Sequence, residues 1–124
     1  GISFEIDDKK VVFSERYTYK GLMFSNVPNL VYSIGYINAS WTLRSEITAE
    51  FVCRILNRMK DVDATEVVAH KKNGGISTTS SPLIDGFSPG YIRRGAHLMA
   101  KQSDNDPWKF NQNYTKFYKN VFIK

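Results

Sequence analysis

Leu30-Val31-Tyr32-Ser33-Ile34-Gly35-Tyr36-Ile37-Asn38-Ala39-Ser40-Trp41-Thr42-Leu43 is the stretch on which the fold turns. Its first half is β-branched and aromatic, apolar at nearly every position, and stops at Gly35. A run apolar on both faces predicts a strand buried between two layers. The second half changes period. From Leu43 the apolar residues fall at positions 43, 47, 51, 52, 55, 56 and 59, one face of a helix. Arg44, Glu46, Glu50, Arg54 and Arg58 are assigned to the opposite, polar face. Glu50 and Arg54 stand four apart in the favourable order, and Arg58 and Lys60 lie where the last carbonyls favour positive charge. Asn38 and Ser40 are both suited to cap the start. The reading is strand, tight turn, and helix over residues 39–60.

Working outward, Phe4 and Ile6 alternate with polar residues, Asp7 to Lys10 is turn-like, and Val11-Val12-Phe13 resumes an apolar run. Residues 2–14 therefore read as a hairpin. Beyond the helix, Glu66–His70 is expected as a strand, Lys72-Asn73-Gly74-Gly75 as a turn, and Ile76–Thr79 as a returning strand. Residues 80–90 read as loop, Tyr91–Ala100 as a short helix weakened by Gly95, and Asp104–Pro107 as a turn with Pro107 opening a new element. Asn111–Val121 is expected as a final helix. The fold class is α+β, with short β-hairpins and one long helix.

Composition narrows the function. The chain has 124 residues, 42% hydrophobic, 14% aromatic and 23% charged, which excludes a solvated coil. It is long enough for one core and too short for two dinucleotide-binding domains. Cys53 is alone, so no internal disulfide forms, and one Cys with His70 and His97 cannot close a structural zinc site. Cys53 reads as a small core residue, and the two histidines as surface or half-buried structural groups. Ser40 and Ser45 have no His or Asp at a nucleophile's spacing, so no catalytic residue and no metal ligand are assigned. No apolar run approaches the roughly 18 residues of a membrane span. The unpaired cysteine and the absence of a secretory pattern at Gly1 point to the cytoplasm.

The net charge of +5 is unevenly placed. Residues 1–85 carry ten basic and ten acidic groups, whereas residues 86–124 carry seven basic and two acidic ones. Eight aromatics share that last segment, from Phe87 and Tyr91 to Phe122. Two readings follow. The segment wraps another part of the protein with its aromatics inward and its lysines solvated. Alternatively, an independent basic module holds an anionic partner through residues 86–124. No nucleic-acid motif accompanies the charge, so nucleic acid is not the favoured partner.

The junction from Gly35 to Trp41 carries the chemistry. A strand end that runs into a helix start offers free N–H groups and the positive end of the helix dipole. Met23–Leu43, Glu50–Asn57, Phe87–Tyr91 and Pro107–Tyr114 together resemble, in order and spacing, the C-terminal part of the flavin-containing monooxygenases of the Baeyer–Villiger type, of the ethionamide-activating kind. The resemblance implies the C-terminal piece of an α/β FAD/NAD(P)-binding flavoprotein. It implies FAD and NADPH in the full-length enzyme, and transfer of one oxygen atom of O2 to ketone, sulfur or nitrogen substrates. It places Gly35, Asn38 and Ala39 at the cofactor, Asn38 and Ala39 beside the flavin through backbone N–H groups, and Trp41 on the substrate side. No Gly-x-Gly-x-x-Gly occurs, and the family's arginine at the reacting flavin is missing. The chain alone is therefore expected to be inactive and to hold no cofactor. Residues 1–62 would supply closing strands and a helix of the FAD domain, and residues 63–124 a hairpin and a basic aromatic wrapping segment. The remainder of the parent chain is the expected partner, with self-association of the exposed apolar face a second expectation.

Overall fold

The computed structural model describes residues 2–72, 80–84 and 89–123. Its elements, in order, are β1 (Glu5–Ile6), β2 (Lys9–Lys10), β3 (Thr18–Tyr19), β4 (Met23–Phe24), α1 (Trp41–Asp61), β5 (Ser80–Pro82), α2 (Gly90–Gly95), β6 (Lys101–Ser103) and α3 (Tyr114–Phe122). Single 3-10 turns occupy Phe13–Glu15 and Ala96–Leu98. The class is a small α+β fold, with three antiparallel two-stranded pairs among the described residues: β1 with β2, β3 with β4, and β5 with β6.

The first hairpin forms because Asp7 and Asp8 both accept the left-handed conformation, with φ of 50° and 62°. Those are the two central positions of the turn that matches strand twist, and Asp tolerates them better than most residues. The second hairpin turns at Lys20 and Gly21, with φ of 52° and 69°. Helix α1 ends in a left-handed cap. Asp63 has φ 51°, its N–H donates to Lys60 O, and the Ala64 N–H donates to Met59 O at 2.8 Å. Asn113 caps α3 by accepting from Lys116 N at 2.9 Å.

Several expectations change. Leu30–Gly35 is not a ladder strand among the described residues. It makes one antiparallel bridge, Val31 to Met23, and the Tyr32 N–H donates to Leu22 O at 2.9 Å. Its apolar character is used mainly for packing on one hairpin edge, and an apolar pattern alone does not supply a pairing edge. Glu66–His70 likewise makes a single parallel bridge, Ser25 to Ala69. Ile76–Thr79 lies outside the described residues. Part of the expected loop at 80–90 is strand β5, and it pairs with Lys101–Ser103 rather than with anything near 66–70. Pro107 does not open an element; it sits in the turn that returns the Ser103 N–H to Trp108 O at 2.8 Å. The helix expected at 91–100 stops at Gly95 and tightens into the 3-10 turn.

The core gathers Leu22 and Met23 from the second hairpin, Tyr36, Ile47 from α1 and Phe117 from α3. Phe51, Ile55, Val67, Val121 and Phe122 pack around it. The buried face of α1 runs through positions 44, 47 and 48, so Leu43 and Leu56 fall at its edges and stay exposed. Cys53 is exposed, not a core residue, because it lies away from that face. The Glu50–Arg54 pair forms on the solvent side, Arg54 Nη2 to Glu50 Oε1 at 2.6 Å. Exposed as it is, it contributes a few tenths of a kcal/mol at most.

Candidate functional site

The junction between Gly35 and α1 places the expected site residues in two groups. Gly35 is buried and Trp41 lies directly over it: a Cβ at Gly35 would sit 2.0 Å from Trp41 Cγ. Only glycine admits the indole there. Trp41 as a whole remains 63% exposed. Both residues line an apolar cavity of about 180 Å3, together with Ile37, Ile84, Tyr91 and Ile92 among others. Asn38 and Ala39 stand outside that cavity, in a bend where residues 37–43 are all exposed.

The helix start is open. Ser40 occupies the N-cap position, and Asn38 does not. The Ser40 hydroxyl pairs with Thr42 Oγ1 instead of with an amide of the first turn. No acidic residue lies in that turn. The Ile37 N–H donates to Gln112 Oε1 at 3.0 Å, whereas among the described residues the N–H groups of Asn38 and Ala39 have no acceptor. Unpaired amides and the positive end of a 21-residue helix thus meet solvent together.

Beneath this end lies Arg44, which residue type assigned to the polar face and which is 0% exposed. Its guanidinium carbon stands 3.9 Å from the Phe117 ring centroid, 4.2 Å from Phe110 and 5.1 Å from Tyr36. Nη1 donates to Asn111 O at 2.7 Å. Nε and Nη2 have no partner, and no ion pair to Arg44 forms among the described residues. Burial holds the guanidinium below its ordinary 12.5, pushed down to about 10, with Tyr36 and Tyr32 acting in the opposite direction. At neutral pH it stays charged. Three aromatic faces therefore stand in for a counterion. Position 44 shares a helix face with Ile47 and Thr48, the one signal in the sequence that pointed inward; Thr48 Oγ1 donates to Arg44 O at 2.9 Å.

The basic aromatic segment divides. Trp108, Phe110 and Phe117 are buried, with Trp108 meeting Tyr19 edge-on at 5.5 Å, while Lys109, Lys116 and Lys119 are exposed. Those three rings pack within this chain while the lysines stay solvated, so they offer no face to a stacked base. His70 and His97 are exposed. Among the described residues there is no group of three His, Cys, Asp or Glu able to hold a metal, and no helix long and apolar enough to cross a membrane.

Tyr32 gives the site a pH signature. Burial is the main cause that raises its pKa above the ordinary 10.0, opposed by its hydrogen bond with Thr18 Oγ1 and by Arg44. The unfolded chain ionises first, so this contribution to stability is intact below pH 10 and is lost as the pH climbs above it. Tyr32→Phe should flatten the alkaline limb of unfolding free energy against pH, measured by urea titration. A limb parallel to that of the unsubstituted chain would remove Tyr32 as its source.

No family model and no solved structure matches the chain. Curated proteins do. It is 40% identical over 116 residues to the FAD-containing monooxygenase EthA of Mycobacterium tuberculosis, covering 94% of this chain and 23% of that protein. It is 40% identical over 114 residues to the probable FAD-binding monooxygenase AlmA of an Acinetobacter species, covering 92% and 22%. To the putative FAD-containing monooxygenase MymA of Mycobacterium tuberculosis it is 35% identical over 116 residues, covering 94% and 23%. The chain spans about a quarter of the length of these relatives.

Proposed function

We propose that this chain, a C-terminal-type portion of an FAD-containing monooxygenase, supplies the flavin-facing helix start of an enzyme that transfers one oxygen atom of O2 to ketone or sulfur/nitrogen substrates at the expense of NADPH. The observation that carries the reading is the uncapped start of α1, with the amides of Asn38 and Ala39 unpaired and exposed. The residues present fit one edge of a flavin. They offer N–H donors and a helix dipole to the negative charge that reduced flavin carries on its pyrimidine side. Arg44, one turn into the same helix, adds a buried positive charge that no carboxylate among the described residues cancels. No glycine-rich phosphate loop occurs in the chain, so the rest of FAD and the NADPH fall to the remainder of the parent.

In this reading FAD supplies the redox chemistry and the activation of O2. The chain's own part is to hold charge and shape. Gly35 lets the backbone pass under Trp41, the Asn38 and Ala39 amides hold the anionic edge, and Trp41 forms the substrate-side wall. Residues 1–62 close the FAD domain, and residues 63–124 wrap it. The 124 residues alone would be inactive and free of cofactor. The test uses the full-length protein with NADPH, isotopically labelled O2, and a ketone or sulfide. The balance is substrate, O2, NADPH and a proton going to oxygenated product, NADP+ and water. One labelled oxygen in the product per NADPH oxidised is expected. A protein that neither carries flavin nor labels product would overturn the reading.

A further inference from the structure

Two neighbouring residues of the C-terminal segment clasp the bend that carries the open amides. Asn111 O accepts from Arg44 Nη1 at 2.7 Å, and Gln112 Oε1 accepts from the Ile37 N–H at 3.0 Å. Ile37 and Arg44 stand on either side of Asn38 and Ala39 in the chain. The clasp itself is firmly held. The Phe110 N–H donates to Gln102 Oε1 and Asn111 Nδ2 donates to Asp106 Oδ1, both at 3.1 Å, and Asn113 caps α3. The bend is not. Among the described residues, the Ile37–Gln112 bond is the one hydrogen bond that ties residues 36–39 to the rest of the chain.

Gln112 makes this contact at a cost to stability. Its Nε2 is buried and has no partner among the described residues. Turning the amide over would set N–H against N–H at Ile37, so the Ile37 donor fixes its orientation. A buried amide nitrogen without an acceptor is unfavourable, and an apolar side chain of similar bulk would carry no such penalty. Gln112 is thus a poor residue for packing alone and a good one for holding a peptide.

We propose that Gln112 is a positioning residue for the flavin edge. By fixing the Ile37 N–H it sets the direction of the next two N–H groups, on Asn38 and Ala39, ahead of the charge they are to meet. Donors aligned in advance cost no reorganisation when negative charge develops on the ring. What the amides hold rests on the flavin reading above; the clasp on Ile37 does not.

The test compares two variants of the full-length protein: Gln112→Met, which removes the acceptor, and Gln112→Glu, which keeps one of the same reach. In the methionine variant the Ile37 amide should exchange with deuterium about three- to tenfold faster, the factor that one exposed hydrogen bond is worth. The α3 amides should keep their rates, and the urea midpoint should hold or rise. The glutamate variant should keep the Ile37 amide protected. The methionine variant should bind reduced flavin about tenfold more weakly relative to oxidised flavin, a midpoint potential about 30 mV more negative. Added to Ala39→Pro, which deletes one of the two amides, the same substitution should shift the midpoint by less than it does alone, because it acts through those amides. An unchanged Ile37 amide, or equal exchange in both variants, would overturn the proposal. Faster exchange throughout α3 with a lower urea midpoint would overturn it too, by reducing Gln112 to a structural role. So would a methionine variant with an unshifted potential, or a shift that adds in full to that of Ala39→Pro. A full-length protein without flavin sinks the monooxygenase reading and the flavin role of Gln112 with it, whereas the exchange rates still decide the clasp.

Discussion

Arg44→Ala should cost about 3–5 kcal/mol of folding stability, a large share of what a chain of this size has. The side chain is wholly buried and stands against three rings, so truncation opens a cavity lined by Tyr36, Phe110 and Phe117. It also strips the Asn111 carbonyl of its donor, a further penalty of roughly 1–3 kcal/mol for a buried group. Arg44→Met separates packing from charge. Methionine fills much of the volume and removes a buried cation that has no counterion, so only the Asn111 bond and the cation–π attraction are lost. Its loss should be about half that of alanine, read as the shift in urea midpoint. Equal losses for the two would show that the charge, and not the packing, holds α1 against α3.

Gly21→Ala should be almost as damaging, at about 3 kcal/mol. Two causes act on the same atom. The backbone at Gly21 has φ 69°, a left-handed conformation that costs a residue with a Cβ roughly 1–2 kcal/mol. The new methyl would also lie 2.2 Å from Arg44 Nη2 and 2.6 Å from the Phe110 ring, inside the cage itself. Both neighbours are fully packed, so relief requires the turn between β3 and β4 to move, and overpacking of this kind costs roughly another 1–3 kcal/mol. Thermal unfolding followed by circular dichroism reads the result. A midpoint unchanged from the unsubstituted chain would mean that the Arg44 cage yields freely, which would also undercut the expected effect of Arg44→Ala.

These two positions show what the sequence made legible and what it hid. Helix α1 was readable almost to the residue, since its apolar period and basic last turn are local properties. The first hairpin and the closing helix were readable in outline only: the returning strand is Lys9–Lys10 rather than Val11–Phe13, and the helix starts at Tyr114 rather than Asn111. What could not be read was anything that depends on a distant partner. Leu30–Gly35 has the residues of a buried strand, yet pairing needs an edge, and one bridge from Val31 to Met23 is all the described chain provides. Residues 80–82 look like loop because Ser80, Ser81 and Pro82 carry no strand propensity; their ladder comes from Lys101–Ser103, about twenty residues away. Arg44 was assigned outward by its charge. Its true setting depends on rings at 36, 110 and 117 that no local window contains. At the junction, the glycine and the helix start were legible. The apolar cavity beside them was not, because Ile84 and Ile92 reach it from other elements.

A flavin-facing role for this chain requires that the amides at the start of α1 meet the anionic edge of the ring. The direct measurement is the midpoint potential of flavin bound to the full-length protein carrying Ala39→Pro, which deletes one of those N–H donors, beside Ala39→Gly, which keeps it. Loss of a donor to the anionic edge destabilises reduced flavin, so the proline variant should show a more negative potential while the glycine variant holds the unsubstituted value. A proline variant that binds flavin at an unshifted potential would contradict the account.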